Sequence, residues 1–172
     1  MQNAHITAPP RQFLPKDFTV TTWDALQPYF ETLQNREIGS KNALEKWLAD
    51  LSELEAVISE DACWRQIRMT RDTADKSSEE AFTYFCMEIQ PKLQPYADAL
   101  NRKLLASEYK DQLDQQLYFT YLRNVQKQVQ LFNEQNIPIQ AELSVMAQQF
   151  GVISRRHDHQ CERAGIYFAA GR

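Results

Sequence analysis

"SKNALEKWLADLSELEAVIS", residues 40–59, decides the fold. Leu44, Trp47, Leu48, Leu51, Leu54 and Ile58 recur at spacings of three and four, so a helix gathers them on one face. Ser40 stands where an N-cap belongs, its hydroxyl free to accept a backbone N–H from the first turn. A weaker period through Trp64, Ile67 and Met69 carries this second helix to about Asp72.

The same pattern repeats outward. Residues 1–20, with Pro9, Pro10 and Pro15, read as an extended N-terminal arm. Thr21 or Thr22 caps a first helix with Trp23, Leu26, Phe30 and Leu33 inward, distorted at Pro28 and ending near Gly39. Ser77 with Glu80 reads as a capping box opening a third helix, with Phe82, Phe85, Ile89, Leu93, Tyr96, Leu100 and Leu104 inward and kinks at Pro91 and Pro95. Ser107 is expected to begin a fourth helix, with Leu113, Leu117, Tyr121, Val125, Val129 and Phe132 inward. Pro138 suits the first turn of a short fifth helix, and Gly151 its stop. No stretch before Ser154 alternates as a strand would. The expectation is all-α: an antiparallel bundle of four to five helices with an irregular C-terminal tail, and a helical domain over residues 21–154.

Bulk properties narrow the function. The 172 residues carry 19 Lys and Arg against 23 Asp and Glu, net −4, which opposes binding to nucleic acid or an anionic membrane surface. The start MQNAHITAPP lacks the basic and apolar regions of a signal peptide, and no run approaches a membrane span. Cys63, Cys86 and Cys161 form no disulfide framework and fit the cytoplasm.

Candidate chemistry is sparse. His157, His159 and Cys161 in "RRHDHQC" (residues 155–161) are zinc-ligand types, but they share a face only on a strand, and a structural site wants a fourth ligand. Arg65, Arg68, Arg71, Asp72 and Asp75 cluster at a helix end; local ion pairs on solvated surface explain them better than a peptide-carboxylate site. Phe82, Tyr84, Phe85, Tyr96, Tyr118, Phe119 and Tyr121 read as core plus interface rather than a binding box. There is no HExxH, nucleophile elbow or phosphate loop, so no catalytic or metal residue is assigned and substrate-binding residues stay unassigned.

Residues 67–107, IRMTRDTADKSSEEAFTYFCMEIQPKLQPYADALNRKLLAS, carry a likeness. They resemble the N-terminal helical region of the oligoendopeptidase F family of zinc metallopeptidases, related to thimet oligopeptidase. An "R-x-T-x-D-T-x-D" turn is matched by Arg68, Thr70, Asp72, Thr73 and Asp75; a "P-x-L" kink by Pro91 and Leu93; "L-x-x-S" by Leu104 and Ser107. The likeness spans roughly residues 11 to 154. It implies an enzyme that cleaves short peptides inside the cell, whose N-terminal helices wall a deep channel. Zinc would be held by a HExxH helix and a later Glu. None of those residues is in this sequence. The expected function is therefore a truncated channel-wall part, inactive alone and with no cofactor of its own. Its surroundings would be oligopeptide substrates of the complete enzyme, and self-association through exposed apolar helix faces is also expected. The alternative from another class is a self-standing helical interaction module.

The tail fits this reading. Up to Ser154 the chain holds 15 basic and 21 acidic residues; the last 18 hold four Arg against Asp158 and Glu162. Back-translated and read one base on, residues 155–171 permit GAMTISVNGREYTLQQ, whose two strand-like runs flank Asn-Gly, a hairpin signal. The family continues into such a hairpin. Residues 155–172 are thus expected to be out of frame, and the His-x-His-x-Cys pattern an accident of reading frame.

Overall fold

A computed structural model describes residues 10–72 and 74–163, with residues 152 and 154–163 described by their backbone alone. Among these residues every regular element is helical: α1 (Trp23–Asn35), α2 (Lys41–Arg71), α3 (Lys76–Tyr84), a π-helical turn (Phe85–Ile89), α4 (Gln90–Ala106), a 3₁₀ turn (Lys110–Gln112), α5 (Gln115–Leu131) and α6 (Asn136–Arg163). Since α3, the π turn and α4 follow without a break, the described residues form five rods, and the all-α expectation is met. No helix of the described residues is long and apolar enough to cross a membrane.

The caps show where the sequence reading was right and where it slipped. Ser40 Oγ accepts the Ala43 N–H at 3.1 Å, as its position predicts. Thr22 is the N-cap of α1 without using its side chain, and α1 ends at Asn35 rather than near Gly39. Ser77 does not open α3: Asp75 does, accepting the Ser77 N–H at 3.0 Å and the Ser78 hydroxyl at 2.6 Å. Likewise Ser107 closes α4, and Asp114 opens α5 by accepting from Gln116 and Leu117. In both cases an Asp nearer the turn offers the stronger charged acceptor at the positive end of a helix.

Proline explains the π turn. Pro91 has no N–H for the carbonyl four residues back, and its ring would collide with that carbonyl. The preceding turn widens, so that the Gln90 N–H bonds Phe85 O, five residues back. At the far end, Gly151 does not stop the last helix. Its φ is not left-handed, and a Cβ built there meets nothing within 4 Å beyond its chain neighbours and the backbone of its own helix. The helix runs on past Ser154 to Arg163, where a short helix and an irregular tail were expected. A mid-helix glycine costs only about 1 kcal/mol, and no proline follows to break the run.

The core belongs to α1, α2, the π turn and α4. Leu26, Leu33, Leu44, Trp47, Leu51, Leu54, Ile89, Leu100 and Leu104 are its fully buried large side chains. Side-chain pairs give the directions. Arg65 of α2 reaches Ala81 of α3 and Asn101 of α4 bonds Gln128 of α5, so each of these pairs runs antiparallel. Gln94 with Gln140 and Thr83 with Gln148 set α6 antiparallel to the α3–α4 rod too, so α6 continues in the direction of α5. Trp23 against Tyr96 and Leu33 against Lys103 make α1 and α4 parallel neighbours. Helices α5 and α6 bury little: Val125 from one, Ala141 and Gln148 from the other. They form a thin outer layer.

The segment before α1 is folded back rather than loose. Glu53 of α2 accepts the successive N–H groups of Gln12, Phe13 and Leu14 at 2.8 to 3.2 Å. Arg11 Nη1 donates to the carbonyls of Pro15, Lys16 and Phe18. Leu14 and Val20 are thereby buried.

Candidate functional site

Between the inner helices and the outer layer lies a cleft of about 530 Å³. Glu55 of α2 faces it from one side; Gln94, Asp98 and Asn101 of α4, Gln128 of α5 and Gln140 of α6 line the rest. Gln94, Asp98 and Asn101 sit at i, i+4 and i+7, so a single face of α4 supplies them. Two carboxamide pairs bridge the helices, Gln94 Nε2 to Gln140 Oε1 at 2.8 Å and Asn101 Nδ2 to Gln128 Oε1 at 3.2 Å. A second cleft of about 830 Å³ adjoins it at the turn between α5 and α6 and shares Asp98, Leu131 and Phe132.

The electrostatics are those of a walled, wet space. Solvent reaches Glu55 through the cleft, yet the protein packed around the carboxyl raises its pKa above the ordinary value. Burial first, and then the nearby Glu55, push the Tyr121 phenol up to about 12, so it is a neutral donor at physiological pH. Asp98 pairs with Arg102 at 2.6 Å through Oδ2, while its buried Oδ1 has no partner. Such a surface can hydrogen-bond a peptide strand or hold a cation. It carries neither a nucleophile beside a base nor a set of metal ligands.

The residues singled out in the sequence go elsewhere. Arg65 is a structural tie: it pairs with Asp61 at 2.6 Å, donates to Val20 O at 2.7 Å and Ala81 O at 3.0 Å, and lies over the Phe85 ring. Asp72 ends α2 and Asp75 begins α3, so the charged cluster is the α2–α3 turn; Arg68 and Arg71 are exposed. Serine hydroxyls and amides at Asp75, Ser78 foremost, hold its carboxyl below the usual range. Thr73 lies outside the described residues. The aromatic set does not form one box. Phe85 is core, Tyr96 packs on Trp23 and Phe30 at 5.2 and 5.7 Å, Tyr121 faces Glu55, and Phe119 points to solvent under Arg123. The backbone at His157, His159 and Cys161 is helical, which sets residues two apart about 200° from one another. The strand that would gather them is not formed, and among the described residues no three His, Cys, Asp or Glu could hold a metal ion.

Sequence reasoning passed over Glu55, Asp98 and the four carboxamides. The signal was the polar i, i+4, i+7 face of α4, which reads as ordinary solvated surface until α6 is laid across it.

The described residues form a helical scaffold with a walled, polar cleft. The family model described as Peptidase M3 N-terminal domain matches residues 13–132, and the chain belongs to that family. The match contains the whole stretch 67–107 and supports the thimet and oligoendopeptidase relationship read from it. No curated protein matches the chain. No solved structure matches it either.

Proposed function

We propose that these helices form the channel-wall part of an M3-type oligopeptidase and perform no chemistry by themselves. One observation carries the reading: the Peptidase M3 N-terminal match extends from ahead of α1 to the end of α5, in a sequence without HExxH. Zinc belongs to the complete family enzyme, and the described residues of this chain do not fit it. The substrates of the complete enzyme are short peptides, and its location is the cytoplasm, in keeping with free Cys63 and Cys86. Residues 155–172 are an out-of-frame extension, supported by the charge reversal after Ser154 and the hairpin latent in the next frame.

The test is peptide cleavage. The purified chain should leave internally quenched peptides of five to fifteen residues intact with and without added zinc. Zinc-dependent cleavage by a preparation free of other peptidases sinks the reading.

A further inference from the structure

Helix α6 is turned inside out. Toward the bundle it presents Ala141 and Gln148, buried to 5 and 7 % exposure. Outward it presents Ile139, Leu143, Met146, Phe150 and Ile153, exposed by 54, 57, 62, 72 and 66 %. The roll of the helix is set by polar fasteners: Gln140 accepts from Gln94 at 2.8 Å and Gln148 accepts from Thr83 at 3.4 Å. The outward residues step by 4, 3, 4 and 3, the heptad period that lets one helix run along another at about 20°. Leu143, Met146, Phe150 and Ile153 expose roughly 500 Å² of apolar surface, so two such stripes facing each other would bury about 1,000 Å², the least expected of a specific interface.

We propose that this stripe is a homodimer interface, with α6 packed antiparallel on α6 of a second copy. This deepens the expected self-association and stands apart from the peptidase reading. The Leu143–Ile153 part of the stripe is self-complementary about a two-fold axis passing between Met146 and Phe150. In that register Leu143 meets Ile153 of the second copy and Met146 meets Phe150 of the second copy. The Leu143–Ile153 layer then pairs two aliphatic side chains of equal volume, and in the other the flexible Met thioether reaches a phenyl ring, a favourable contact. Parallel pairing would stack Phe150 on Phe150, and it lacks the β-branched residues that parallel dimers favour at Leu143 and Phe150. Exposed Ala147, beside the axis, lets the two backbones approach.

Sedimentation velocity of the whole chain at tens of micromolar should give twice the 20.1 kDa monomer mass. Phe150→Glu, and separately Met146→Glu, should weaken the dimer at least 100-fold with the helical circular dichroism unchanged, because both sites are exposed. In a Cys63→Ser, Cys161→Ser background, Ala147→Cys should cross-link to itself through a short bismaleimide, and Leu143→Cys should not. A monomer at that concentration overturns the proposal and leaves the stripe to a different chain. A dimer indifferent to both Glu variants, or self-cross-linking at Leu143→Cys instead of Ala147→Cys, overturns the interface or its direction. Each of these results is independent of peptide cleavage.

Discussion

Lys103 of α4 and Trp47 of α2 share one acceptor, the carbonyl oxygen of Leu33 near the end of α1. The ammonium donates to it at 3.1 Å and the indole N–H at 2.9 Å. Lys103 donates also to Gln34 O at 2.7 Å and to Arg36 O, and lies over the Trp47 ring. A cation thus closes the C-terminal end of α1, where unpaired carbonyls concentrate negative charge. Burial, and then the Arg36 guanidinium, hold its pKa below the ordinary lysine value.

Lys103→Met keeps the aliphatic stem and removes the three donations. The expected cost is about 2 kcal/mol, from lost charge-assisted bonds and unpaired carbonyls. For a chain of this size that lowers Tm by about 4–8 °C. A thermal melt unchanged within 1 °C would show the tie to be worth nothing.

Glu53 makes the N-terminal segment acid-sensitive. Burial pushes its carboxyl up, but the backbone N–H groups of Gln12, Leu14 and Phe13, with Arg11, outweigh it and bring the pKa below 4.5. For a carboxylate lowered in the fold, the stability it contributes is present above the unfolded value and lost as pH falls through the folded one. The amides of Gln12, Phe13 and Leu14 should therefore lose their exchange protection in acid, as the pH falls below the ordinary glutamate range, while α2 stays protected. Glu53→Gln should weaken that protection at pH 7 and abolish its acid dependence. Protection that persists in Glu53→Gln contradicts this.

Glu55 has the opposite sign. Its raised carboxyl pKa means that the unfolded chain ionises first, so its contribution to stability falls as pH rises through 4.5 and beyond. Glu55→Gln should melt higher than the parent at pH 7, with the difference closing toward pH 4. It should also bring the Tyr121 phenol down from about 12, by the part of that shift which Glu55 causes. A variant that melts lower at pH 7 would mean the carboxylate has a partner in solution.

The tail should bind no zinc. Calorimetric titration of the full chain and of a version ending at Ser154 should give the same result, with no stoichiometric site in either. Tight binding that disappears with residues 155–172 would revive His157, His159 and Cys161 as ligands.

The reading-frame account is tested in the gene. Restoring one base near the Ser154 codon should yield the hairpin, then a longer helical protein with HExxH and a later Glu that binds zinc and cleaves short peptides. An alternative frame that soon meets stops and encodes no HExxH ends that account.

How much of this the sequence held is seen helix by helix. The Leu44–Ile58 face of α2 was legible because each member has another three or four residues away, which keeps a stripe in place around 3.6 residues per turn. The proposed α5 face failed at Leu117, which is 70 % exposed. Its positions from Leu113 to Val129 advance by fours, and each such step drifts about 40° round the helix. Leu113 itself lies before α5 begins, and only Val125 is buried on that helix. The cleft was illegible for another reason. Glu55 follows the fully buried Leu54 by one residue, and its surroundings come from three other helices whose placement no local pattern encodes.

The π turn before Pro91 acts on the rest of α4 as a change of phase. A turn closed five residues back holds one residue more than a regular one, so everything downstream is rotated about 100° from where an unbroken helix would carry it. Phe85 stands at the start of that offset, Leu100 and Leu104 after it, yet all three reach the same core. Removing a single residue from Phe85–Ile89 would therefore set the Pro91 ring against the carbonyl four residues back and dislocate the fold downstream. Leu100 and Leu104 would swing away from Trp47 and Leu33, and the face of Gln94, Asp98 and Asn101 would leave the cleft.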